Sequence, residues 1–272
     1  MHYFSFWFKY DFVRNAFLSV ILLSVLLGII GTMVVHNKMS FFSDAIGHCT
    51  FTGVAIGSMI GIKNYEISSF LFSLLLSFLI SYVIESEKSS SDTIIGVFSS
   101  IGLSLGIVIF VINGGFSKYS DFLVGDILSI QKNEIIFLSI LLVVSLLFWI
   151  FLFNNFLISS MSKDLAVSKR INFKMYRMLF ILLLSSVVSL AIRWVGILII
   201  NSLLTLPAAS ARNISKGMKN YHFLTISFSL ISGILGMILS LNLKTPVGPT
   251  IVMICAAIFT LTFVFNNKKH KF

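Results

Sequence analysis

The sequence predicts an all-α polytopic membrane protein of about nine transmembrane helices, or eight if the weakest boundary is removed. Three observations predict it. Apolar residues make up 57% of the 272 and charged residues only 11%, with a mean hydropathy of +1.00, a balance foreign to soluble domains. The apolar residues fall in runs long enough to cross a hydrocarbon layer at about 1.5 Å per helical residue. The charges collect between those runs. In such a chain the net charge of +10 carries topology rather than nucleic-acid binding. Cys49 and Cys255 both lie in apolar segments and make no disulfide framework.

Residues 1–15 mix aromatic side chains with Lys9, Asp11 and Arg14, and read as an interfacial segment. They lack an uninterrupted apolar core, so no cleavable signal is expected. Spans are expected at 16–35, 41–62 and 67–84, with a polar turn at 36–40. The loop 85–92 ends in Ser91 and Asp92, which cap a fourth span at 93–112. Residues 113–134 connect outside the membrane, with the amphipathic piece DFLVGDILSI (121–130) at the interface. A fifth span covers 135–153. Residues 154–177 form the longest basic loop. Spans six (178–192) and seven (195–211) are parted only by Arg193 and Trp194, the weakest boundary. Pro207 removes one backbone hydrogen bond from span seven and permits a kink. Spans eight (222–241) and nine (250–265) follow, then a basic tail at 266–272.

With the C-terminus inside, inner segments hold 13 of the 20 Lys and Arg, which places the N-terminus outside. No second domain and no internal repeat is apparent, so residues 1–272 are expected to form one domain.

Span two, FFSDAIGHCTFTGVAIGSMIG (41–61), carries the chemistry. Asp44 is the one acid inside a span, and His48 the one histidine well inside a span. Four residues apart, they share a helix face. Ionisable groups at membrane depth are costly and mark functional sites. Carboxylate and imidazole together suit zinc, manganese or iron. Two ligands are few for a tight site, and a second copy of the chain would bring the set to four. The alternatives are a structural Asp–His pair and a proton relay. Ala45, Cys49, Gly53, Gly57 and Gly61 form a stripe of small residues for close helix packing. Cys49 is either a third ligand or part of that stripe. Thr52 either lines a path or bonds to backbone. Asn201 and Thr205, just before Pro207, either line a cavity or bond between helices.

Within the basic loop, Lys163, Asp164, Leu165, Lys169 and Arg170 belong to a stretch that can form a short helix, serving as a topology anchor or as a docking surface for a cytoplasmic partner. Asp121, Asp126, Glu134 and Glu66 read as solvated loop acids. No GxxxxGK[ST] motif occurs, and no nucleophile–histidine set can be assembled, so the chain itself is not expected to be an enzyme.

These residues resemble the ABC-3 family of bacterial metal-importer permeases. Its hallmark, Met-Ser-Leu-x-Gly-Asp-Ala-x-Ser-His-Ala-x-x-Pro-Gly-Val, is similar to MSFFSDAIGHCTFTGV (39–54), with matches at Asp44, Ala45, His48, Gly53 and Val54. Thr52 stands where the family has proline, and Gly47 where it has serine. SDTIIG (91–96), DFLVGDILSI and VGILIINSLLTLPAASAR (195–212) resemble further family segments, in the family's order. The resemblance implies a fold like type II ABC importers and a homodimeric permease in the cytoplasmic membrane. It also implies two copies of a separate cytoplasmic ATPase and an extracytoplasmic metal-binding protein. Asp44 and His48 would meet the transported ion, with no permanently bound cofactor, and residues 154–177 would couple to the ATPase. The readings from other classes are an ATP-independent proton-coupled transporter or channel, with Asp44 and His48 as relay, and a membrane anchor subunit of a larger enzyme.

Overall fold

The structure is a computed structural model that describes residues 10–62, 64–86, 91–113, 125–161 and 163–269. Among these residues it is all helical. The α-helices are α1 (Asp11–His36), α2 (Ser40–Ile60), α3 (Tyr65–Ser86), α4 (Ser91–Ile112), α5 (Lys132–Met161), α6 (Lys163–Ser168), α7 (Phe173–Val195), α8 (Ile197–Ile214), α9 (Met218–Leu243) and α10 (Val247–Lys269), with one 3-10 turn at Ile127–Ser129. Among the described residues, seven helices (α1, α3, α4, α5, α7, α9 and α10) are long and apolar enough to cross a membrane. The other two long helices, α2 and α8, are the ones that carry Asp44 and His48, and Asn201, Thr205 and Pro207. The nine expected spans therefore all appear as helices among the described residues, and α2, which carries Asp44 and His48, is too polar to meet that measure.

Several boundaries move, each for a local reason. Helix α1 begins at Asp11, so residues 11–15 of the expected interfacial segment are its first turn, where Arg14 pairs with Asp11. Helix α5 continues past Asn154 and Asn155 to Met161. The Asn155 side chain donates to the Tyr176 hydroxyl at 2.8 Å, and Phe156 stacks on Phe180 at 4.5 Å. A satisfied amide and a buried ring remove any reason to stop at the asparagines. Helix α7 starts at Phe173, where the Asn172 side chain accepts from the Met175 amide. The expected loop 154–177 thus shrinks, and α6 occupies much of it. The break between spans six and seven falls at Gly196, not at Arg193 and Trp194, which α7 absorbs. Gly196 has φ 85°, a conformation that ends the helix and favours glycine. The tail 266–272 is helical through Lys269.

The described chain divides into two compact units. The first comprises the described parts of Met1–Ser40, Leu123–Leu142 and Arg193–Phe272. In it α1 packs on α8 and α9, and α8, α9 and α10 pack on one another. Close approach is built in at Gly31, where any Cβ would collide with the Leu204 carbonyl. Tyr221 is buried with Ala208 and Ala211, and its hydroxyl donates to the Thr32 carbonyl at 3.3 Å.

The second unit comprises the described parts of Phe41–Phe122 and Val143–Ile192. Serines at 69, 73, 77 and 81 make a buried row along α3, and Ser77 shares a hydrogen bond with Ser185 of α7. Polar links of this kind, together with small side chains, hold helices together where lipid removes the hydrophobic drive.

A candidate metal site on the second helix

Helix α2 runs without interruption from Ser40 to Ile60. Thr52 keeps the backbone amide that the proline of the family pattern would remove. The small-residue stripe behaves as expected over most of its length. A Cβ on Gly53 would lie 2.7 Å from the Ser69 Cα, and one on Gly57 would collide with the Ser68 side chain, so this edge of α2 lies against α3. On the side of α4 the fit is reciprocal. Cys49 fills the space left by Gly102, and Thr52 that left by Gly106. Phe51 and Phe110 add a ring contact at 4.7 Å. Gly61 departs from the stripe: it follows the helix end at φ 79° with nothing near a Cβ, so it is a turn residue rather than a packing one.

Asp44 and His48 lie one turn apart, with Asp44 Oδ2 3.5 Å from His48 Nε2. That separation suits an ion pair or two ligands of one cation and is too long for a strong hydrogen bond. The His48 side chain is 20% exposed and that of Asp44 41%. Both therefore present an edge outward, while the other side chains of residues 42–55 are buried. Nδ1 of His48 is buried without a hydrogen-bond partner among the described residues. Asp44 sits in the second turn from the start of α2. Among the described residues no three His, Cys, Asp or Glu side chains are placed to share one ion.

The remaining predicted residues are placed as follows. Cys49 is fully buried against Gly102, with its thiol free. Thr52 is buried, and its hydroxyl donates to the Gly102 carbonyl and lies 3.3 Å from the His48 carbonyl. It closes α2 onto α4. Asn201 and Thr205 belong to the other unit, on α8, where the Thr205 hydroxyl donates to the Asn201 carbonyl at 2.8 Å. Lys163 and Asp164 open α6, Leu165 is 50% exposed, and Ala166 is buried. Lys169 and Arg170 follow the helix; Arg170 takes φ 55° and its amide donates to the Val167 carbonyl at 2.9 Å. Residues 121–124 of DFLVGDILSI lie outside the described residues. The rest contains the 3-10 turn at Ile127–Ser129. Asp126 accepts from the Leu128 amide at 3.1 Å, and Ile127 and Ile130 are buried. Glu134 likewise accepts from the Gln131 amide at 2.8 Å. Both acids act as local caps.

Sequence reasoning missed Gly102 and Gly106 as the sockets for Cys49 and Thr52. Their spacing of four on an apolar helix was the available signal. It also missed the Lys174–Glu85 pair, 3.5 Å apart in the second unit.

Known proteins resemble the chain over nearly its whole length. The high-affinity zinc uptake system membrane protein ZnuB of Haemophilus influenzae is 30% identical over 254 residues, covering 93% of this chain and 97% of that protein. The manganese import system permease protein ScaB of Streptococcus parasanguinis is 30% identical over 268 residues, covering 97% and 94%. The solved structure of PsaBC from Streptococcus pneumoniae in complex with Fab superposes with a TM-score of 0.82 at 29% identity, over 94% of this chain and 92% of that one. The ABC 3 transport family model matches residues 9–266, and the chain belongs to that family.

Proposed function

We propose that this chain is the membrane permease subunit of an ATP-binding-cassette importer for a divalent transition metal, zinc, manganese or iron. The observation that carries the reading is the Asp44–His48 pair, 3.5 Å apart on a stretch of α2, residues 42–55, whose other side chains are buried. One carboxylate oxygen and one imidazole nitrogen form a borderline donor set that suits these ions better than sodium or calcium. Family membership and the zinc and manganese relatives support the same reading. Cargo must leave as well as bind, and two donors per chain hold it loosely. Two copies of the chain would offer four donors and raise the affinity without trapping the ion.

The chain has no nucleotide-binding motif, so the energy arrives from a separate cytoplasmic ATPase, in two copies for a homodimer. An extracytoplasmic metal-binding protein would supply the ion. Helix α6 is the proposed ATPase contact. Ala166 anchors it, while Leu165 and Val167 face outward, as an apolar docking element requires.

The test is uptake of zinc, manganese and iron by the reconstituted complex of permease and ATPase, with Asp44→Asn and His48→Ala. Both variants are expected to insert and assemble normally, because removing an intramembrane charge eases insertion, and to lose ATP-dependent uptake of the cargo metal. Near-normal uptake by both would remove Asp44 and His48 from the path. Uptake that persists without ATP would favour the proton-coupled reading.

A further inference from the structure

We propose that the first unit holds a site for the acyl end of an amphiphile, a carboxylate or ester oxygen carried on a hydrocarbon chain, bound beside Trp194. The site is a partly enclosed cavity of about 80 Å³ between α1, the end of α7, α8 and the start of α10. Its wall is hydrocarbon: Val20, Leu23, Ile127, Leu203 and Ile251. No charged side chain lines it, and beside Trp194 the one polar side chain is Ser24.

Two features supply donors without acceptors. Trp194 is only 6% exposed, and its indole N–H is buried with no hydrogen-bond partner among the described residues. A buried indole N–H ordinarily has a partner, because leaving it unmade costs the full desolvation of the donor. The N-terminus of α10 also lines the cavity through Val247 and Gly248. The first amides of a helix have no acceptor within their own helix, and its positive end favours an electron-rich oxygen. A ligand that fits must bring an acceptor oxygen to these donors and apolar carbon to the wall. A carbonyl or carboxylate at the end of a hydrocarbon chain does both. The cavity has room for that group and its first few methylenes, not for a whole lipid. In a chain that spans a membrane, such molecules are the surrounding solvent. The inference does not depend on metal transport.

The test uses the full chain in nanodiscs with Trp7→Phe and Trp149→Phe, which leaves Trp194 as the single fluorophore. One arm adds a fatty acid brominated near its carboxyl to discs of unbrominated phospholipid. The other uses discs of phospholipid brominated near its ester, with no fatty acid. Saturable quenching in the first arm identifies a free fatty acid as the ligand. Quenching in the second arm identifies a phospholipid ester. In either case Val247→Phe, which fills the cavity, is expected to abolish it, with Leu23→Phe as the second filling variant if the first misfolds. Native mass spectrometry of Trp194→Phe in the otherwise unaltered chain should show retention of the acyl ligand about fivefold weaker, the effect of one hydrogen bond. Absence of quenching in both arms means the cavity holds only water and overturns the proposal. So does quenching that rises without saturation and ignores both filling variants, since that reports bulk lipid.

Discussion

Replacing Gly53 by alanine tests whether α2 is held in place by its contact with α3. The added methyl would lie 2.7 Å from the Ser69 Cα, 2.9 Å from the Phe72 Cβ and 3.1 Å from the Ser68 carbonyl oxygen. Ordinary contact begins near 3.4 Å, so α2 and α3 must separate by about 0.7 Å, since the Cα, the Cβ and the carbonyl oxygen are all positioned by the backbone and no rotamer change can move them. Overpacking of this kind costs about 1–3 kcal/mol. Against it stands about 1 kcal/mol gained by removing a glycine from a helix interior. The net loss is about 0–2 kcal/mol, or up to roughly 6 °C in Tm for a chain of this size. Gly96→Ala is the control. It has the same chemistry on α4 with nothing within 4 Å of the new methyl, so only the propensity gain remains and Tm should rise by about 3 °C. Thermal unfolding in detergent, followed by tryptophan emission, reads both. Metal uptake should fall with Gly53→Ala, because Gly53 lies little more than one turn beyond His48, and stay level with Gly96→Ala. If Gly53→Ala melts as high as Gly96→Ala, the close approach of α2 and α3 is wrong.

Three further outcomes are expected. Gly57→Leu should impair assembly and uptake more than Leu75→Phe, because the first collides with Ser68 while the Leu75 side chain is 55% exposed; equal, mild effects would place that edge of α2 in lipid. Thr52→Val removes the hydroxyl that donates to the Gly102 carbonyl and should cost about 0.6 kcal/mol of stability with uptake largely kept; loss of uptake at unchanged Tm would instead make Thr52 part of the ion path. Leu165→Asp should leave metal binding intact and abolish co-purification of the ATPase, because a charge in an apolar docking groove is desolvated without a partner; an ATPase that stays bound and drives normal uptake would make α6 a topology anchor.

The fold was legible because lipid imposes length and apolarity on every spanning helix, and nine runs stood out. The boundaries were less so, for reasons visible in single residues. Asn154 and Asn155 look like a loop until Tyr176, distant in sequence, accepts one amide. Arg193 and Trp194 look like a break, but side-chain polarity does not end a helix; the backbone at Gly196 does. Asp44 and His48 were legible as neighbours from spacing alone, since partners four apart need no tertiary information. The sockets at Gly102 and Gly106 were not, because what a glycine leaves room for is decided by the helix opposite.

The polarity of α2 has a consequence for how the protein is made. Seven helices satisfy the length and hydropathy that let a segment partition into lipid by itself, and α2 is not among them. A carboxylate on a spanning helix opposes insertion by about 2.5–3.5 kcal/mol at the bilayer centre, less towards the end of the helix. A stripe of glycines offers lipid little area in return. Helix α2 must then enter the bilayer in company, with α3 as the chaperoning surface, since Gly53 and Gly57 already fit against it. The segment proposed to meet the cargo is thus one that enters the membrane poorly alone, and the turn between α2 and α3 becomes a determinant of biogenesis. Lengthening that turn should lower the yield of inserted protein before it alters transport by the molecules that do assemble.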